Sequence, residues 1–269
     1  MNDIDPAIDP AAHVREAELA DLTYIHAWLS REAHGAAGFI NNWEGITAAC
    51  IDRQMLVWGA VGAPVGFLTR GITLDTILQV RKQDQGRGIG RALVQVALAS
   101  EEREDNAVLV IQCKPEQSVE FWRQMGFEPQ RPRREHRTSE AIYMQRLSTK
   151  RHRLAGADEV LQLIVVSTYP EHVLYVDNRM HQVPADRTHY VMAEMDLEAR
   201  TLKLAHRVSI AHEPALGDPV VEVFWGGLPL LTKTKAKRSA ARAAGVIPTQ
   251  NGWGWYLDVI KVPDSFGYK

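Results

Sequence analysis

Cysteine is nearly missing from this chain: 269 residues hold only Cys50 and Cys113, with no Cys-x-x-Cys and no Cys/His pair at zinc spacing. Neither a disulfide scaffold nor a structural zinc is suggested, and a reducing cytoplasm fits. Long apolar runs are missing too, since none approaches the ~20 residues that a membrane-crossing helix needs. Charge of one sign is also absent: the net charge is −2 with 24% charged residues, so any nucleic-acid role must rest on local patches. The histidines of the second half (His152, His172, His181, His189, His206 and His212) show neither H-x-x-x-H spacing nor a carboxylate-linked triad, and no metal is expected. Residues 1–12 carry Asp3, Asp5, Asp9, Pro6 and Pro10 without a signal peptide's basic-then-apolar layout, and read as a loose leader. No internal repeat or low-complexity tract is evident, and a 45% hydrophobic composition suits two modest soluble domains.

What the chain does have is a glycine-rich stretch, Gln85-Gly86-Arg87-Gly88-Ile89-Gly90-Arg91. Thr76-Ile77-Leu78-Gln79-Val80 before it is strand-like, and Ile89, Leu93, Val96, Ala97 and Ser100 recur at helical spacing after it. Strand, glycine loop and helix start together offer free backbone N–H donors and the positive end of a helix dipole, which is an anion site. A P-loop would need Lys-Ser/Thr after Gly90, where Arg91 and Ala92 stand. A Rossmann fingerprint fails at Arg91 in one register and at Leu93 in the other.

The remaining pattern is Gln/Arg-x-x-Gly-x-Gly/Ala, matched by Gln85, Gly88 and Gly90. It resembles the pyrophosphate loop of the GNAT N-acetyltransferase superfamily. The surrounding order is similar to that family's as well. His13–Glu16 reads as a strand and 17–29 as a helix, and 34–44 as a loop or short helix bordering a cleft. Residues 55–61 and 63–69 then read as a hairpin about Gly62, and 76–80 as a third strand. Ala107–Cys113 reads as a buried strand, Lys114–Met125 as a helix stopped by Gly126, and Phe127 onward and Ala141–Leu147 as two more strands. Phe121-Trp122-x-x-x-Gly126-Phe127 resembles the family's second motif, an aromatic pair followed three residues later by Gly-Phe.

The resemblance covers 13–147 and implies an α/β fold with a splayed, mixed central sheet and acetyl-CoA between its fourth and fifth strands. By that likeness, the Val80-to-Lys82 backbone holds the pantetheine arm. The Gly86, Arg87, Gly88, Ile89, Gly90 and Arg91 amides hold the pyrophosphate, aided by the two arginine side chains. The tyrosine that often protonates the departing sulfur is replaced by Trp122, and the asparagine that often contacts pantetheine by Pro115. Ser118, one helical turn before Trp122, is the nearest hydroxyl for a proton relay. Asp75, placed in the strand leading to Val80, is the expected general base, with Glu44 and His34 as alternatives. Cys113 reads as core filler. The stretch Arg131–Arg137 holds four arginines that suit an acidic or phosphate-bearing acceptor, or nucleic acid.

A polar linker over 149–158 separates 13–148 from a smaller, mostly-β region over 159–269 with no recognised family. Its expected strands are 160–168, 172–176, 189–195, 201–210, 220–225 and 253–262, with a basic helix over Lys233–Ala244. Such a region would choose the acceptor, dimerise or cover the cleft. Three functions follow: an acetyl-CoA-dependent N-acetyltransferase, an acyl-CoA-binding module without efficient transfer, or a nucleic-acid-directed protein using 131–137 and 233–244.

Overall fold

The computed structural model describes residues 13–33, 38–130, 142–154, 160–168, 173–176, 179–182, 187–212 and 218–263. The chain divides into two compact units, one of residues 1–104 and 110–126, the other of residues 105–109 and 127–269. The expected linker boundary, the arginine stretch 131–137, the leader and His34 fall wholly or partly outside the described residues.

In the first unit β1 (Val14–Glu16), β2 (Met55–Trp58), β3 (Gly66–Thr69) and β4 (Leu78–Val80) form an antiparallel sheet in chain order. α1 (Leu19–Glu32), α2 (Trp43–Ile51) and α3 (Ile89–Arg103) accompany it, followed by β5 (Val108–Cys113), of which residues 110–113 belong to this unit, and α4 (Ser118–Gln124). Ile25, Trp28 and Leu29 of α1 and Ile46 and Ala49 of α2 are buried with Met55, Val57 and Phe67 of the sheet. One carboxylate ties three of these elements together. Asp21, in the first turn of α1, is fully buried and takes both arms of Arg15 at 2.8 Å. It also accepts N–H bonds at 2.8 Å from Glu18 and from Gly62 in the β2–β3 turn. β4 and β5 belong to different sheets, which leaves β4 with a free edge.

The second unit is built on a seven-stranded sheet in the order β14-β13-β8-β11-β12-β16-β15. Its strands are β8 (Val160–Thr168), β11 (Arg187–Asp196), β12 (Thr201–Ala211), β13 (Val220–Trp225), β14 (Leu228–Lys235), β15 (Ile247–Pro248) and β16 (Gly254–Lys261). A hairpin of β9 (Val173–Val176) and β10 (Arg179–Gln182) is separate, and β6 (Glu128–Pro129) and β7 (Ile142–Leu147) pair with each other. Leu163, Val165, Val191, Leu204, Val223 and Leu257 line the core.

The mostly-β expectation with one helix holds, but the helix is shorter than its sequence suggested. Residues Leu228–Lys235 are strand β14, and only α5 (Ser239–Ala244) is helical. Gly226 and Gly227, with φ of 54° and 82°, make the tight two-residue turn that returns the chain against β13. Sheet pairing therefore claims Lys233, Thr234 and Lys235, and the continuous basic helix over 233–244 does not form.

Candidate functional site

The free edge of β4 opens onto a cleft of about 1350 Å³ lying wholly within the first unit. The strand's alternation decides what that edge offers. Ile77 O accepts from Thr69 N–H and Arg81 N–H donates to Val65 O, so these residues turn their backbone toward β3. Leu78 and Val80 consequently turn theirs to the cleft, where Val80 O is met by the side-chain amides of Gln85 at 3.0 Å and Gln79 at 3.2 Å. Lys82 lies outside this edge: it opens a 3-10 turn, does not line the cleft, and donates its N–H to Glu32 Oε1 at 2.8 Å.

At one end of the cleft stands the glycine loop. Gly86 and Gly88 have φ of 76° and 80°, a left-handed backbone that favours glycine, and a Cβ on either would meet no protein atom within 4 Å. Their role is thus backbone conformation rather than close packing, and the space above them is open. Gly88 is the N-cap of α3 and supplies no side-chain cap, and no acidic residue sits in the helix's first turn. The N–H groups at the start of this 15-residue helix are left for something else at the cleft wall. Gly66 lets the helix come this close, since a Cβ there would lie 2.9 Å from Ile89 Cγ2.

The arginines beside the loop differ from one another. Arg87 does not line the cleft, and its Nη1 donates to Asp84 Oδ1 at 2.9 Å. Asp84 is buried and takes Arg81 Nε on its other oxygen at 2.6 Å, so two guanidiniums brace the segment leading into the loop. Arg91 does line the cleft, with only a long 3.4 Å contact to Gln124 Oε1.

Phe121, Trp122 and Ser118 of α4, with Gln112 of β5, form another wall of the cleft. Trp122 is buried, and the Ser118 hydroxyl is buried with no hydrogen bond of good geometry. Burial pushes the thiol of neighbouring Cys113 up, only partly opposed by Ser118, which suits a packed core residue rather than a nucleophile. Asp75 and Glu44 both line the cleft and are exposed. Asp75 sits in a turn before β4, not in the strand as its sequence suggested. Thr76 Oγ1 accepts from Thr73 N–H at 2.7 Å and donates to Gly71 O at 2.8 Å, which holds the segment as a turn until Ile77. Arg70, which sequence reasoning passed over, lines the same end. Among the described residues no group of three or more His, Cys, Asp or Glu could hold a metal ion. No helix among them is long and apolar enough to cross a membrane.

A sheet with a free fourth-strand edge and an uncapped helix behind a glycine loop make up the GNAT-like α/β arrangement expected for this part of the chain. Residues 30–148, under half of the chain, match the family model of the acetyltransferase (GNAT) domain. Among solved structures, a GCN5-related N-acetyltransferase from Rhodopseudomonas palustris is 18% identical at a TM-score of 0.39, over 50% of this chain and 94% of its own. The PaiA N-acetyltransferase of Thermoplasma acidophilum, solved with coenzyme A, is 15% identical at 0.39, over 50% and 98%. A ribosomal-protein-alanine N-acetyltransferase from Brucella melitensis is 21% identical at 0.38, over 50% and 99%. No curated protein matches this chain.

Proposed function

We propose that the chain is an acetyl-CoA-dependent N-acetyltransferase that moves the acetyl group directly to an amine within a ternary complex. The observation that carries this is the uncapped start of α3 behind two left-handed glycines, opening onto a cleft that follows the free edge of β4. That arrangement fits a long ligand with phosphates at one end: the loop amides and Arg91 would take the pyrophosphate, and the backbone of Leu78 and Val80 the pantetheine amides. The two glutamine amides on Val80 O would give way or be shared on binding.

The reaction joins the amine nitrogen to the thioester carbonyl carbon, and the C–S bond breaks to release the CoA thiolate. A lysine-type amine is neutral in only about one part in 10³ at pH 7, so removal of its proton matters. We assign that proton to Asp75, with Glu44 as the other exposed carboxylate lining the cleft. A thiolate whose acid has a pKa of about 8.5 leaves without much help. That is why Trp122 in place of a hydroxyl acid is compatible with transfer, and why Ser118 is offered only as a proton relay through water.

The test is to follow CoA thiol release and acetylated product with a panel of amines. Turnover that needs both acetyl-CoA and an amine supports the proposal. Tight acetyl-CoA binding with no product from any amine would favour the acyl-CoA-binding module instead.

A further inference from the structure

We infer that Arg70 is the anchor for an anionic group on the acceptor, so that the preferred acceptor is an amine also bearing a carboxylate or phosphate. This rests on the acetyltransferase reading above. Arg53, Arg70, Asp105 and Arg200 are the non-glycine residues with left-handed φ among those described, and of these Arg70, at 57°, is the one that lines the cleft. Such a conformation is disfavoured for a side chain of this kind and persists only where the surroundings impose it.

Here they do. Arg70 N–H donates to Gln54 O at 2.6 Å. Gly71 follows at φ 63°, where a Cβ would lie 2.5 Å from Glu101 Oε1. That same oxygen accepts from Ile72 N–H at 2.9 Å, and Thr76 Oγ1 ties back to Gly71 O. Hydrogen bonds at Arg70, Gly71 and Ile72 fix the turn around this one arginine.

The guanidinium itself is left over. Arg15 is committed to Asp21, and Arg81 and Arg87 to Asp84, whereas the half-buried Arg70 side chain makes no hydrogen bond or ion pair with any described residue. A rigidly presented, unpaired guanidinium in a cleft suits a carboxylate or phosphate, which it can grip through paired N–H donors. The donor's own phosphates are not that partner. The glycine loop stands at the other end of β4, and Ile77–Val80 alone separates the ends by about 10 Å. Asp75 follows in the same turn and lines the same cleft, so this end is bipolar, with a carboxylate for the amine and a guanidinium for the anion.

The experiment compares kcat/KM of the full-length protein on matched acceptors: free-acid amino acids and dipeptides against their carboxamides, and phosphoethanolamine against ethanolamine. Arg70→Ala and Arg70→Lys are assayed alongside, with acetyl-CoA titration as the control for folding. The expected result is a tenfold or greater preference for the acidic member of at least one pair. That preference should collapse toward unity in R70A and partly survive in R70K, while the KM for acetyl-CoA moves less than twofold. Whether the carboxylate or the phosphate arm shows it identifies the anion. Equal rates within every pair, or an R70A loss shared by neutral acceptors, overturns the Arg70 assignment alone. A wild-type protein that binds no acetyl-CoA refutes the acetyltransferase reading itself, and this inference with it.

Discussion

Asp75 and Glu44 are two exposed carboxylates lining one cleft, and the chemistry asks only one of them to take a proton. If Asp75 is the base, Asp75→Asn lowers kcat/KM by about 10²-fold or more and Glu44→Gln by less than about tenfold, with acetyl-CoA affinity unchanged in both. Steady-state kinetics with the best amine decides this, and the reverse order moves the role to Glu44. Both residues were visible in the sequence as candidates, but the setting of Asp75 was not. Its turn depends on Thr76 bonding Gly71 and on Glu101, some 30 positions on, accepting from Ile72. Arg70 stayed unnoticed for a related reason. A left-handed arginine has no sequence signature of its own, and the following Gly71 was the only hint.

At the scale of elements, the first unit hangs on the Asp21 clamp between β1, α1 and the β2–β3 turn. Burial alone would raise this carboxyl's pKa, but Arg15 and the Glu18 and Gly62 amides outweigh it and hold it below the usual carboxylate range. The folded state therefore binds this proton more weakly than the unfolded chain does. The clamp's stabilisation is complete above the unfolded carboxylate value of about 3.9 and is lost as pH falls below it, through the depressed folded value. Asp21→Ala should cost about 3–5 kcal/mol at neutral pH, because it strands Arg15 and two N–H groups. The same variant should flatten the acid limb of the stability profile, and denaturant titrations across pH 2–7 measure both effects. An unchanged acid limb would remove the clamp from the account. The glycine loop, α3 and the strand order around them were legible because each is a local pattern. β14 was not, because Lys233 and Lys235 read as the start of the lysine- and alanine-rich segment after them until Gly226-Gly227 delivers them to β13.

Across the whole molecule, each of the two units carries its own ionic anchor in addition to its own core. In the second, Arg207 is almost fully buried and spans Asp258, at 2.9 Å through Nε, and Asp105, at 2.8 Å through Nη2. Its guanidinium lies 4.0 Å from the centre of the Tyr256 ring, and His152 and Lys150 join the same carboxylates. Replacing Arg207 with alanine leaves Asp258 without its main partner and should cost about 3–5 kcal/mol, read as a lower denaturation midpoint. Adding Asp258→Asn should restore part of the loss, and a strictly additive double variant would contradict the coupling. None of this was legible beforehand, since residues 105, 207 and 258 come from three distant segments. What the second unit does chemically is likewise unmarked by any local motif.

Under the proposed function, the glycine loop and the bare start of α3 hold the phosphates of acetyl-CoA. Calorimetric titration of the wild-type protein and of Gly88→Ala with acetyl-CoA tests it most directly. Gly88 needs its φ of 80°, and a Cβ there meets no protein atom within 4 Å, so alanine acts on loop conformation and on the ligand's space without a clash inside the protein. The account predicts wild-type binding in the range of about 1 μM to 1 mM, weakened tenfold or more in the variant. No binding by the wild type, or equal binding by both proteins, would contradict it.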